Sequence, residues 1–138
     1  MNAPINGVVE TALYVEDVER AIQFYRDVLG FALLNTDERF AAFDVAGKQV
    51  LLLFKHGASN HNLRIPGGVI PPHDGSGPIH VGFSVAAESL NTWAARLAQH
   101  NVTIESRVTW TRGGASLYFR DPDNNLIELL TPGVWTIY

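Results

Sequence analysis

Two stretches decide the architecture: ETALYV at residues 10–15 and HVGFSV at residues 80–85. They lie over one another at an offset of 70, and FDVAGKQVLLL at 43–53 lies over FRDPDNNLIEL at 119–129 at an offset of 76. Identity between the copies is low, but the apolar and polar positions agree. Internal repetition implies that neither copy buries its apolar face alone. After residues 8–15, which alternate loosely as a strand does, the period changes. Val18, Ala21, Ile22, Tyr25, Val28 and Leu29 fall on one helical stripe, with Asp17 placed to cap its start and Gly30 to end it. Residues 31–35, 39–45 and 48–55 read as three strands, the last two joined by a turn at Ala46 and Gly47.

The same order returns in the second half. Residues 79–85 read as a strand, and Leu90, Trp93, Ala94 and Leu97 mark a helix. Residues 102–108, 115–120 and 126–131 read as strands, with DPDNN at 121–125 as a turn. Between His56 and Pro78 the composition shifts to Gly, Pro, Ser, Asn and His, which reads as a linker or a lid. The expected fold is α+β: paired βαβββ modules forming curved mixed sheets around a metal-binding cleft, all within one domain over residues 1–138. Module 1 covers about 7–55, the linker or lid about 56–78, and module 2 about 79–133.

Composition narrows the function. The 138 residues are 46% hydrophobic and 17% charged, enough apolar material for a core. A net charge of −4 leaves no basic excess for a phosphate backbone or an anionic membrane, so neither nucleic acid nor membrane is an expected partner. With no cysteine, thiolate chemistry is excluded and any metal must be held by His, Asp or Glu. The opening residues MNAPING lack a basic start and an apolar stretch, and a cytoplasmic location is the expectation.

The overlay also names four equivalent slots, held by Glu10, Leu52, His80 and Glu128. Three are metal-ligand types set in strands destined for burial. Glu128 lies between Leu126-Ile127 and Leu129-Leu130, and an ionised carboxylate in such a place costs several kcal/mol unless it is paired or bound to a metal. Two carboxylates and one imidazole balance a divalent cation, and hard oxygen donors favour Mn²⁺, Fe²⁺, Zn²⁺ or Mg²⁺. Three protein donors leave positions open for water and an oxygen-bearing substrate. His73, in the Pro-rich segment 70–77, is a candidate acid or base delivered by a loop.

Residues 10–31, ETALYVEDVERAIQFYRDVLGF, resemble the opening of the vicinal oxygen chelate superfamily. Glyoxalases, fosfomycin and bleomycin resistance proteins, extradiol dioxygenases and methylmalonyl-CoA epimerases belong to it. Residues 79–85 and LYFRDPDNNLIEL at 117–129 repeat the likeness, which covers almost the whole chain. The resemblance implies a metal role for Glu10, His80 and Glu128. Glu10 departs from the usual His or Gln, and Leu52 leaves empty a slot that glyoxalases and epimerases fill, as fosfomycin-resistance and extradiol patterns also do. Tyr118 matches a substrate-contacting Tyr of extradiol enzymes, although Ile65 and Thr109 stand where their other catalytic His residues would.

The expected function is therefore a divalent-metal-dependent enzyme, glyoxalase-like in the broad sense, acting on a small oxygenated substrate, with Tyr118 and His73 as catalytic candidates and a homodimer as the assembly. A metal-free ligand-binding or drug-sequestering protein resembling bleomycin resistance proteins is the alternative. An extradiol-type dioxygenase is the minority alternative.

Overall fold

The computed structural model describes residues 3–138, which divide into two compact units at Ser76 and Gly77. The first unit opens with β1 (Glu10–Val15) and α1 (Val18–Gln23). Asp17 caps this helix, its carboxylate accepting from the Arg20 N–H at 3.1 Å, as the sequence predicts. The expected single helix does not run to Leu29. From Phe24 to Val28 it widens into a π turn, and the neighbouring residues Phe24 and Tyr25 are both buried there, as are Val28 and Leu29.

Next come β2 (Ala32–Thr36), β3 (Phe40–Val45) and β4 (Gln49–Lys55), in the sheet order β1-β4-β3-β2. Strands β1 and β4 are parallel and the other pairs antiparallel. The turn between β3 and β4 has positive φ at both Ala46 and Gly47, the backbone of a type I′ hairpin. Leu13 and Val15 on β1, Ala41 and Phe43 on β3, and Leu51 and Leu53 on β4 form the core with the helix. The alternate residues Ala12, Tyr14, Leu52 and Phe54 are half-buried on the opposite face.

The segment read as a linker or lid is part of this unit. It holds a small antiparallel hairpin, β5 (Leu63–Ile65) with β6 (Gly68–Ile70). Its return is pinned where the His73 N–H donates to the Ser59 carbonyl at 2.8 Å. His56 Nδ1 lies 3.0 Å from the Gly75 carbonyl and donates to it.

The second unit repeats the order with β7 (His80–Ser84), a short 3-10 turn at Ala87–Ser89, α2 (Leu90–Gln99), β8 (Ser106–Thr109), β9 (Ala115–Arg120) and β10 (Leu126–Leu130). Its sheet order is β7-β10-β9-β8, with the β7–β10 pair parallel. Strand β8 starts later than the expected residue 102, because the Val102 N–H is spent on the Leu97 carbonyl at the helix end. Leu97, Leu117, Phe119, Ile127 and Leu129 are its most deeply buried apolar residues. The registers confirm the overlay within each unit: Glu10 pairs with Val50 as His80 pairs with Leu126, so Leu52 holds in one sheet the position that Glu128 holds in the other.

Candidate functional site

Glu128 is the buried charge of the second sheet, 6% exposed in the middle of β10. Its carboxylate is held by neighbours across the sheet. Ser116 and Tyr118, on β9, both donate to Oε2, at 2.5 and 3.0 Å. Ser116 is itself oriented by the Trp110 indole N–H, which donates to Oγ at 2.8 Å. The other oxygen, Oε1, faces His80 Nε2 at 3.2 Å. Gly82, opposite Glu128, packs closely on Leu130: a Cβ there would come within 3.1 Å of the Leu130 side chain, while 3.7 Å to Glu128 Oε1 would be ordinary contact.

The imidazole's other nitrogen fixes its tautomer. His80 Nδ1 is 2.9 Å from the Leu126 carbonyl, which can only accept, so Nδ1 carries a proton. Nε2 and Oε1 then confront each other as two acceptors unless positive charge joins them: a proton on Nε2, or a cation bound by both. A His whose far nitrogen donates to a backbone carbonyl, beside a carboxylate whose far oxygen is fixed by hydroxyls, is the arrangement that orients metal ligands. The donor set fits a divalent ion.

What aligns β7 with β10 is the DPDNN turn. Asp121 Oδ1 accepts from the N–H groups of Asp123 and Asn125, and the Asn125 amide donates to Asp121 Oδ2 at 2.9 Å. The side-chain oxygen of Asn125, Oδ1, in turn accepts from the Ile79 N–H at 3.0 Å, one residue before His80. Asn125 is 1% exposed. Sequence reasoning took this segment for a turn only. The run of Asp and Asn was the available signal, but the residue it clamps is 46 positions away.

In the first unit Glu10 stands exposed at the start of β1 and makes no hydrogen bond among the described residues. It lines a cavity of about 480 Å³ on the sheet face away from the helix. Ala12, Tyr14, Leu52 and Phe54 form the floor, Arg39 and Phe40 one wall, and Leu63, Ile70 and His73 of the 56–76 segment another. His73 Nδ1 is 2.8 Å from the Tyr14 hydroxyl, and its ring meets Phe54 edge-on at 4.5 Å. Burial, and then the charge of Asp74, raises the Tyr14 phenol above its ordinary value. Tyr118 is raised too, by burial first and then by its bond to Glu128.

The structure thus brings His80, Glu128 and Tyr118 together, and separately places Glu10 and His73 around one cavity. Within each unit, among the described residues, no three His, Asp or Glu side chains gather as a metal set. Arg39 and Ser116 were missed from sequence. Neither has a local pattern that marks it, because each acquires its role from a neighbouring strand.

A family model described as the Glyoxalase/Bleomycin resistance protein/Dioxygenase superfamily matches residues 7–129. The chain is 27% identical over 130 residues to a metallothiol transferase FosB of Shouchella clausii (strain KSM-K16), covering 92% of this chain and 81% of that protein. It is 31% identical over 121 residues to a catechol-2,3-dioxygenase of Bacillus subtilis (strain 168), covering 85% of this chain but only 38% of that protein. Among solved structures, a lactoylglutathione lyase from Agrobacterium tumefaciens superposes with a TM-score of 0.87 at 31% identity, over 97% of this chain and 99% of that one. No helix among the described residues is long and apolar enough to cross a membrane.

Proposed function

Because the chain belongs to the glyoxalase/bleomycin resistance protein/dioxygenase superfamily, whose relatives here are named as enzymes of three reaction types, we propose that it is a divalent-metal-dependent enzyme acting on a small oxygen-bearing substrate. The carrying observation is the approach of His80 Nε2 to Glu128 Oε1 at 3.2 Å, each group with its far side already tied. His80 and Glu128 are two donors of the site, and Glu10 is assigned as the third on its sequence equivalence to His80 in the repeat. The ion is Mn²⁺, Fe²⁺, Zn²⁺ or Mg²⁺, since the chain has no cysteine and the donors are carboxylate and imidazole. When bound, a divalent ion supplies Lewis acidity that polarises a substrate oxygen.

The chain's own residues do the rest. Ser116 and Tyr118 hold the Glu128 carboxylate against rotation, so Tyr118 acts on the ligand rather than as a free acid. Leu52 supplies no donor in the slot equivalent to Glu128, which limits the set to three. His73, with Nδ1 engaged by Tyr14 at the end of the cavity away from Glu10, keeps Nε2 free to exchange a proton with the part of the substrate that lies there rather than with an oxygen at the metal. The protein works as a homodimer, which covers exposed apolar residues such as Leu34 and Ile65.

Metal analysis tests this reading. Protein purified without chelators, then offered each ion in turn, is expected to hold about one ion per chain. Glu10→Gln and Glu128→Gln should lose it, while Glu16→Gln and Glu19→Gln should keep it. Failure of the wild type to take up any divalent ion would instead favour a metal-free ligand-binding protein.

A further inference from the structure

The cavity in the first unit has two chemically different ends. Glu10 sits opposite Val50, whereas Tyr14 and Phe40 both sit opposite Phe54. From Val50 to Phe54 is about 13 Å of strand at ~3.3 Å per residue. At the far end Arg39 is half-buried, its guanidinium 5.5 Å from the centre of the Phe40 ring and 6.0 Å from that of Phe54. No carboxylate among the described residues pairs with it. A guanidinium beside two aromatic rings and without a carboxylate partner keeps its N–H donors for a planar anion, where a bidentate carboxylate fits. Between the two ends the lining is Ala12, Leu52, Leu63 and Ile70.

We infer that this cavity selects an elongated substrate with an aromatic or apolar body and a terminal carboxylate, the carboxylate being held by Arg39 at the end remote from Glu10. This rests on the reading that Glu10 marks the metal end of the substrate site. Arg39 is then a specificity-determining residue. Tyr14 and His73 close the same end, and Gly75 lets the loop lie against them: a Cβ at that position would strike the Tyr14 ring. An apolar body fills the middle of the cavity without leaving a buried polar group unpaired.

The test uses chelator-treated protein, so that it reads the Arg39 end alone, and two isosteric probes, 2-naphthoate and 2-naphthamide, followed by calorimetric titration. Wild type is expected to bind the naphthoate about tenfold more tightly than the amide. Arg39→Gln should abolish that preference and leave the amide's affinity unchanged, Arg39→Lys should keep only part of it, and Arg107→Gln, in the other unit, should change nothing. Equal affinity for both probes, an undiminished preference in Arg39→Gln, or no binding of either by about 10 mM would overturn the inference. Loss of metal uptake, measured separately on the Glu10 and Glu128 variants, bears on the metal reading, and its absence would leave the naphthoate result standing.

Discussion

Glu128→Gln separates a metal ligand from a structural ion pair, because the two readings predict losses of stability of different size. The carboxylate accepts two hydroxyls on Oε2 and faces His80 Nε2 with Oε1. A glutamine in its place can turn its carbonyl oxygen to Ser116 and Tyr118 and its NH₂ to the Nε2 lone pair, so every group keeps a partner. Two charge-assisted bonds become neutral ones, a loss of about 1 kcal/mol each, and a lone-pair repulsion becomes a hydrogen bond, a gain of about the same size. The metal-free variant should therefore unfold within about 1 kcal/mol of wild type, while its metal affinity falls by more than the 10- to 100-fold typical of outer-shell changes. Denaturant unfolding in chelator, alongside competition against a chromophoric chelator, reads both quantities. If Glu128 instead serves to pair with a protonated His80, breaking the pair costs up to about 3–5 kcal/mol, reduced by the half-exposure of the imidazole. A clear loss of stability with unchanged metal uptake would refute the assignment.

Tyr118→Phe removes one of the two hydroxyls on Glu128 and should weaken metal binding about tenfold while the far-ultraviolet spectrum is unchanged. Because the folded state binds the Tyr14 and Tyr118 phenolic protons more tightly than the unfolded chain does, their contribution to stability is complete below about pH 10. It is lost as the pH rises through the higher folded values, so the fall in stability above pH 10 should be shallower in Tyr118→Phe, measured by urea unfolding at several pH values. Gly133 has φ of 105° and a Cβ there would sit 2.5 Å from the Gly114 nitrogen, so Gly133→Ala should cost about 2 kcal/mol by thermal denaturation. Light scattering at micromolar concentration should give a dimer mass, and a monomer mass would count against the proposed assembly.

Much of this arrangement was legible in the sequence because it rests on periodicity. The strand and helix order followed from alternation and a 3.6-residue stripe, and Glu128 was conspicuous as a lone charge among Leu and Ile. His80 followed from the overlay, since the registers of the two parallel pairs are the same. What escaped depends on partners distant in the chain. Ser116 was not foreseen, and Tyr118, foreseen as a substrate contact, instead bonds Glu128; both bonds arise only through the antiparallel pairing of β9 with β10. The hairpin inside residues 56–76 has three-residue strands, too short for alternation to emerge. The π turn at Phe24 arises where adjacent aromatic residues are both buried, which a helical period does not foresee. Arg39 gained meaning only when Phe40 and Phe54 were seen beside it.

The edge position of β1 and β7 bears on the order in which the chain can fold. Each is the first strand of its four-stranded sheet, and its only described sheet partner is the last strand of that sheet, β4 or β10. The hairpins β3–β4 and β9–β10 close through short turns and so meet a small loop-closure entropy. The parallel pairs join Glu10 to Val50 and His80 to Leu126 and must wait for a helix and two further strands to be gathered in. Hydrogen-exchange labelling during refolding should show β4 and β10 protected before β1 and β7. Glu10 and His80, which ride on those edge strands, would then reach their places last, so the proposed ligand positions become complete only when the sheets already are.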